Sequence, residues 1–147
     1  MIDIKPASED DISAILNMLY VLDRPRPESD TDMIYFEKII RQYIHNEDKQ
    51  ILLVWLDDQI VGMASIVFIP RLNHKTAELY IPELVVLEKH QSLGIGTRLV
   101  ESCVYLGRQQ DCYRIRLESG NQRKRSHRFY TNLGFVQDSL SFTVPLD

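Results

Sequence analysis

The chain has 147 residues, 44% of them apolar and 26% charged, and a formal net charge of −4. That length fits one folded domain with a sizeable core, and the acidic excess argues against nucleic acid as the default partner, because phosphate neutralisation drives such binding. No apolar run approaches the roughly 20 residues that cross a bilayer, which argues against a membrane span. Residues 2–6 alternate and read as a strand, and Met1-Ile2-Asp3-Ile4-Lys5 runs straight into it, so no signal peptide is expected. Ser8 starts a helix with acids in its first turn, and Ile12, Ile15, Leu16 and Leu19 then repeat at helical spacing. Pro25 and Pro27 end that helix within the loop 23–30. Thr31 is expected to cap a second helix that presents Met33, Ile34, Phe36, Ile40 and Tyr43.

Residues 50–56 and 60–69 read as a hairpin turned by Asp57-Asp58-Gln59. After the loop 70–75, residues 76–87 form a strand interrupted by Pro82, which cannot donate to a ladder and so predicts a bulge. A helix spans about 94–110, a strand 112–118, a helix 123–133 stopped by Gly134, and a last strand 135–144. This order gives an α/β (α+β) fold with a mixed, mostly antiparallel central sheet and helices on both faces, as a single domain over 1–147. Cys103 and Cys112 lie in apolar surroundings and read as reduced thiols, which favours a cytoplasmic setting. The four histidines show no metal-ligand spacing, so no metal is expected.

The segment Val85 to Leu99 carries the chemistry. An apolar strand enters a glycine turn that opens a helix. Amides at such a helix start lack intrahelical partners, and the helix dipole adds positive potential there, so a phosphate fits without a basic side chain. Gly94 and Gly96 permit close backbone approach and a positive φ. No Lys-Ser/Thr pair follows the glycines, which excludes a nucleotide-hydrolase loop. Leu99 stands where a dinucleotide fingerprint needs a third small residue. On its own the turn also reads as an ordinary strand-to-helix connection.

The pattern Gln91-x-x-Gly94-x-Gly96 resembles the pyrophosphate loop of the GCN5-related N-acetyltransferases (GNAT). A second stretch, His127-Arg128-Phe129-Tyr130-Thr131-Asn132-Leu133-Gly134-Phe135, is similar to that family's helix-and-strand signature. The tail from about Ile81 to Leu146 most resembles bacterial aminoalkylphosphonate N-acetyltransferases. The resemblance implies an acetyl-CoA-dependent enzyme that acetylates a small-molecule amine by direct attack, with a homodimer as a family habit. It implies that Leu84, Val85 and Val86 offer backbone groups to the pantetheine arm. It further implies that Gln91, Ser92, Leu93, Gly94, Ile95, Gly96 and Thr97 surround the pyrophosphate.

Glu83 takes the position of the general base, with Glu78 in reserve, and Tyr130 that of the acid for the leaving thiolate. A phenol with a pKa near 10 is protonated at neutral pH and suits that task. Family members carry an asparagine somewhat closer to that tyrosine than Asn121 lies here, so Arg123 and His127 are alternatives for its cofactor contact. The acceptor is expected between the first two helices and the loop 70–75, where Arg24, Arg26 or Arg71 would grip an acidic group through a bidentate fork. Rival readings are an acetyltransferase acting on protein lysines or N-termini, and a non-catalytic acyl-CoA-binding module.

Overall fold

The protein is described by a computed structural model covering residues 1–147, apart from the side chain of Ser92. It forms two compact units, Met1–Arg116 and Leu117–Asp147.

In the first unit, β1 (Ile2–Pro6) leads into a short 3-10 turn (Glu9–Asp11) and α1 (Ile12–Val21). The Asp11 carboxylate accepts from the Ser8 N–H at 2.8 Å and fixes that helix start. The second helix, α2 (Asp30–His45), begins earlier than expected and is capped by Ser29 rather than Thr31. Ser29 Oγ accepts from the Asp32 N–H at 3.1 Å, while the Asp32 carboxylate accepts from the Glu28 N–H at 2.9 Å. This reciprocal pair satisfies two donors and fixes the boundary.

The strands β2 (Lys49–Leu56) and β3 (Gln59–Ile69) form the expected hairpin, with Asp57 at φ 56 in the turn. The expected strand 76–87 is two pieces, β4 (Glu78–Ile81) and β5 (Leu84–Val86). A 3-10 segment (Glu88–Leu93) and α3 (Ile95–Gln109) follow. The strand β6 (Ile115–Leu117) is shorter than the expected 112–118 and runs across the unit boundary. The sheet order is β1-β2-β3-β4-β6, with β5 paired to β3. The β1-β2, β2-β3, β3-β4 and β3-β5 ladders are antiparallel. Tyr113 and Leu79 donate to Ala77 O and Arg114 O, so this pairing advances in the same direction along both segments.

Helices cover both sheet faces, as expected for this α/β arrangement. On one face Ile15, Leu16 and Met18 of α1 and Ile40 of α2 pack with Ile51, Leu53, Met63 and Val85. On the other, α3 buries Ile95, Leu99, Val100 and Cys103 and meets Leu79 and Ile115 near Gly107. Burial pushes the Cys103 thiol up to about 12, so it is an inert core group.

The second unit contains α4 (Lys124–Asn132), close to the expected 123–133. Gly134, at φ 93, donates its N–H to Thr131 O, and Phe135 donates to Tyr130 O. The Tyr130 and Phe135 rings lie 5.6 Å apart. These bonds and that contact are a Schellman stop, which explains the Tyr-x-x-x-Gly-Phe spacing in physical terms. The expected strand 135–144 does not form: residues 135–147 join no ladder among the described residues. Asp138-Ser139 breaks the apolar alternation there, and strand propensity without a paired neighbour does not make a strand.

Candidate active site

A one-residue irregularity organises the site. Val67 faces Tyr80 and Ala64 faces Leu84, so three steps along β3 match four steps along β4 and β5. The extra residue falls around Pro82, where the sequence predicts a bulge. It brings Glu83 and Val85 onto the sheet face of Tyr80 and Glu78, the face covered by α1 and α2. The Ser65 N–H donates to Glu83 O and the Leu87 N–H to Val61 O. By antiparallel alternation, Leu84 and Val86 therefore turn their backbone groups away from β3. Among the described residues β5 pairs only with β3, so that outer edge has no strand beside it. Gln91 Nε2 donates to Val86 O at 3.0 Å and ties the following turn to this edge.

Gly94 sits at φ 75, ψ 11 and caps α3. An added Cβ there would meet nothing within 4 Å, so the glycine is required by its backbone conformation rather than by space. The first bond of the helix runs from the Arg98 N–H to Gly94 O at 3.2 Å. The amides of Ile95, Gly96 and Thr97 precede it and form the donor-rich start predicted from sequence. Leu93 is exposed beside them. The side chain of Ser92 lies outside what the structure describes.

Glu83 is held from two sides. Ser65 Oγ donates to Oε1 at 2.5 Å and accepts from the Glu83 N–H at 2.9 Å. Arg24 Nη2 lies 3.2 Å from Oε2 and also donates to Pro82 O at 3.3 Å. The carboxylate borders a cavity of about 290 Å³ between α1, α2 and the sheet. Tyr43 lines the same cavity, and burial, followed by the Glu83 charge, raises its phenol above the ordinary value. Tyr43 is therefore a protonated donor at neutral pH. Arg26 lies over the Tyr20 ring at 4.3 Å.

Glu78 is enclosed differently. Its side chain is fully buried and meets Arg71 Nη1 at 2.8 Å, Arg116 Nε at 2.9 Å and Arg114 Nε at 3.2 Å. Burial alone would raise its pKa, but the bonds and charges of Arg116 and Arg114 outweigh it and hold the carboxyl below its ordinary range. A carboxylate so engaged is a poor base. It holds three guanidiniums together, and Arg116 lies over Tyr80 at 4.4 Å.

In the second unit, Tyr130 lies on α4 in the Schellman stop, and Asn121 is exposed in the turn before that helix. His127 Nε2 donates to Gly120 O at 2.8 Å and closes that turn, so its ring supports α4 locally. Among the described residues no group of His, Cys, Asp and Glu could hold a metal ion.

Sequence reasoning missed Ser65, Tyr43, Arg114 and Arg116. Ser65 was the one hydroxyl in the apolar run Val61 to Ile69, and a buried hydroxyl needs a partner. Arg114 and Arg116 alternate with Ile115 and so share one strand face. Nothing in the linear order ties Tyr43 to Glu83.

The profile of the acetyltransferase (GNAT) family matches residues 14–135. N-alpha-acetyltransferase 30 of Xenopus laevis is 32% identical over 107 residues, which are 73% of this chain and 39% of that protein. The chain thus spans about two fifths of that relative's length. A putative acetyltransferase structure from Agrobacterium tumefaciens str. C58 superposes with a TM-score of 0.86 at 22% identity, over 98% of this chain and 99% of that one. An aminoglycoside acetyltransferase from an uncultured soil metagenomic sample superposes with a TM-score of 0.80 at 21% identity, over 100% and 99% of the two chains. At these identities the two structures establish likeness of fold.

Proposed function

The chain belongs to the GNAT acetyltransferase family, and on that premise we propose that it moves the acetyl group of acetyl-CoA to a primary amine of a small molecule by direct attack within a ternary complex. The observation that carries this reading is the unpaired edge of β5 leading into the Gly94 turn. An open strand edge accepts an extended pantetheine much as it accepts a peptide. The amides of Ile95, Gly96 and Thr97 suit a pyrophosphate at the helix start. The family profile covers parts of both units, which supports treating 1–147 as one catalytic domain.

Acetyl-CoA supplies an activated acetyl thioester. The Val86 N–H, turned to the outer edge, polarises the reacting carbonyl and stabilises developing negative charge on its oxygen. Glu83, with lone pairs beyond those used by Ser65 and Arg24, takes a proton from the substrate ammonium, which frees the nitrogen lone pair to attack the thioester carbonyl. Tyr130, by its place in the family signature, gives a proton to the departing sulfur. By the same family resemblance, Asn121, His127 or Arg123 is assigned a contact to the CoA tail. Glu78 orders Arg71, Arg114 and Arg116 rather than acting as a base. The enzyme is proposed to be cytoplasmic, in keeping with its two free cysteines, and able to form a homodimer, following family habit.

A second reading is acetylation of a protein N-terminus. It is favoured by the 32% identity to N-alpha-acetyltransferase 30. The test is thiol release from acetyl-CoA across free amines, aminoalkylphosphonates and peptides with free N-termini. Fast turnover of free amines supports the first reading, and dependence on a peptide supports the second. Calorimetry with acetyl-CoA and CoA, without an acceptor, tests the cofactor site alone. Binding with no transfer to any amine would favour a non-catalytic module.

A further inference from the structure

The cavity beside Glu83 says more about the acceptor than the family does. Its walls are mostly apolar and aromatic, with Leu19 and Tyr20 from α1 and Tyr35, Phe36 and Ile39 from α2. Its polar groups gather at one side, where Glu83 and Ser65 meet Arg24. A volume of about 290 Å³ is at the small end for a ligand site and suits one ring or one branched chain. The three arginines expected to grip an acidic group are engaged elsewhere. Arg24 bonds Glu83 and Pro82 O, Arg71 bonds Glu78, and Arg26 lies on Tyr20. An acidic acceptor would have to displace Arg24 from Glu83 and would bring a second negative charge beside that carboxylate. An ammonium meets the opposite situation.

We infer that the acceptor is a primary amine carrying an uncharged apolar or aromatic group, seated between α1 and α2 with its nitrogen at Glu83. This rests on the acetyl-transfer reading and narrows its substrate class. Burial of the apolar group fixes the nitrogen against the carboxylate, so binding and orientation come from the same contact. The chemistry is shared by a free amine and by the first residue of a polypeptide, and the experiment separates the two sources.

The experiment uses the full chain with saturating acetyl-CoA and measures thiol release. The probes are 2-phenylethylamine and isopentylamine against ethanolamine, β-alanine and 2-aminoethylphosphonate, together with short peptides beginning with Phe or Ser. Binding of 2-phenylethylamine is followed separately by ligand-observed NMR. The expected result is a kcat/KM for the two apolar amines at least about tenfold above that for ethanolamine, the scale on which apolar pockets discriminate. A greater rate for the Phe peptide than for the free amines assigns the same pocket to a polypeptide N-terminus. Equal or faster turnover of ethanolamine, β-alanine or 2-aminoethylphosphonate overturns the inference and leaves acetyl transfer standing. Binding of 2-phenylethylamine without thiol release from any probe overturns acetyl transfer instead. As a second check, Ile39→Trp should narrow the cavity and cut the preference for 2-phenylethylamine over ethanolamine about tenfold; an unchanged ratio removes the pocket from specificity.

Discussion

Arg24 and Glu83 are 59 residues apart in sequence and meet at 3.2 Å. The pair links the loop after α1 to the bulge between β4 and β5, and Arg24 reinforces it through Pro82 O. Arg24 is about half exposed, so the pair adds little to stability; its effect is to fix where the Glu83 carboxylate points. Replacing Glu83 with Gln keeps the shape and removes the proposed base. The expected outcome is a fall in kcat of about a hundredfold or more with acetyl-CoA affinity by calorimetry nearly unchanged. A kcat within threefold of the parent and an unaltered pH–rate profile would remove Glu83 from the chemistry.

Tyr130→Phe keeps the ring that packs on Phe135 and removes only the hydroxyl. The Schellman stop survives this change, because its hydrogen bonds are backbone to backbone. The variant should lose at least about tenfold in kcat, with a smaller change in KM for acetyl-CoA. Steady-state kinetics decide the matter, and an equal kcat assigns Tyr130 to helix termination alone.

Gly94→Ala isolates the backbone contribution. The new methyl has open space, so any cost comes from holding a non-glycine residue at φ 75. That conformation costs about 1–2 kcal/mol. Thermal unfolding should show a matching loss of stability, and calorimetry a weaker grip on acetyl-CoA as the turn relaxes. A variant as stable and as tight-binding as the parent would mean that the left-handed turn is dispensable.

Glu78→Gln leaves three guanidiniums converging on a buried neutral amide. Removing one partner of a buried charge cluster costs about 3 kcal/mol, and the partial exposure of the arginines keeps the figure at that lower end. The pH dependence has a definite sign. The Glu78 carboxyl is held below its ordinary 4.5, so its contribution is full above that value and disappears as pH falls through the lower folded value. Melting temperatures from pH 7 down to pH 3 should therefore fall further in the parent than in Glu78→Gln. Parallel curves would contradict the assignment.

Much of the fold was legible because burial periodicity is local. The apolar residues of α1 and α3 announce one face each, and Pro82 announces a break in the ladder without a partner in view. The Gly94 turn was legible for the same reason, since Gly94 and the helix after it are neighbours in sequence. The polar surroundings of Glu83 were not. Ser65 and Arg24 reach it through strand register and a loop crossing, neither of which leaves a periodic trace. The partners that Arg24, Arg26 and Arg71 find within the chain were not legible either, because charge partners are chosen by three-dimensional proximity. The strand expected at 135–144 had some of the right side chains but lacked the paired backbone that such an element requires.

The extra residue near Pro82 makes the sheet's function depend on parity. Were every residue kept and paired one to one with β3, the sequence from Glu83 onward would shift phase by half a pleat. Glu83 would then project toward α3, away from the cavity between α1 and α2, and Val85 instead of Val86 would offer its amide to the outer edge. Each reactive group would still be present in the chain, yet the donor and acceptor would be served from opposite sides of the sheet. Deletion of Pro82 itself would instead keep Glu83 opposite Ser65 and facing α1 and α2, because four steps along this strand would become three.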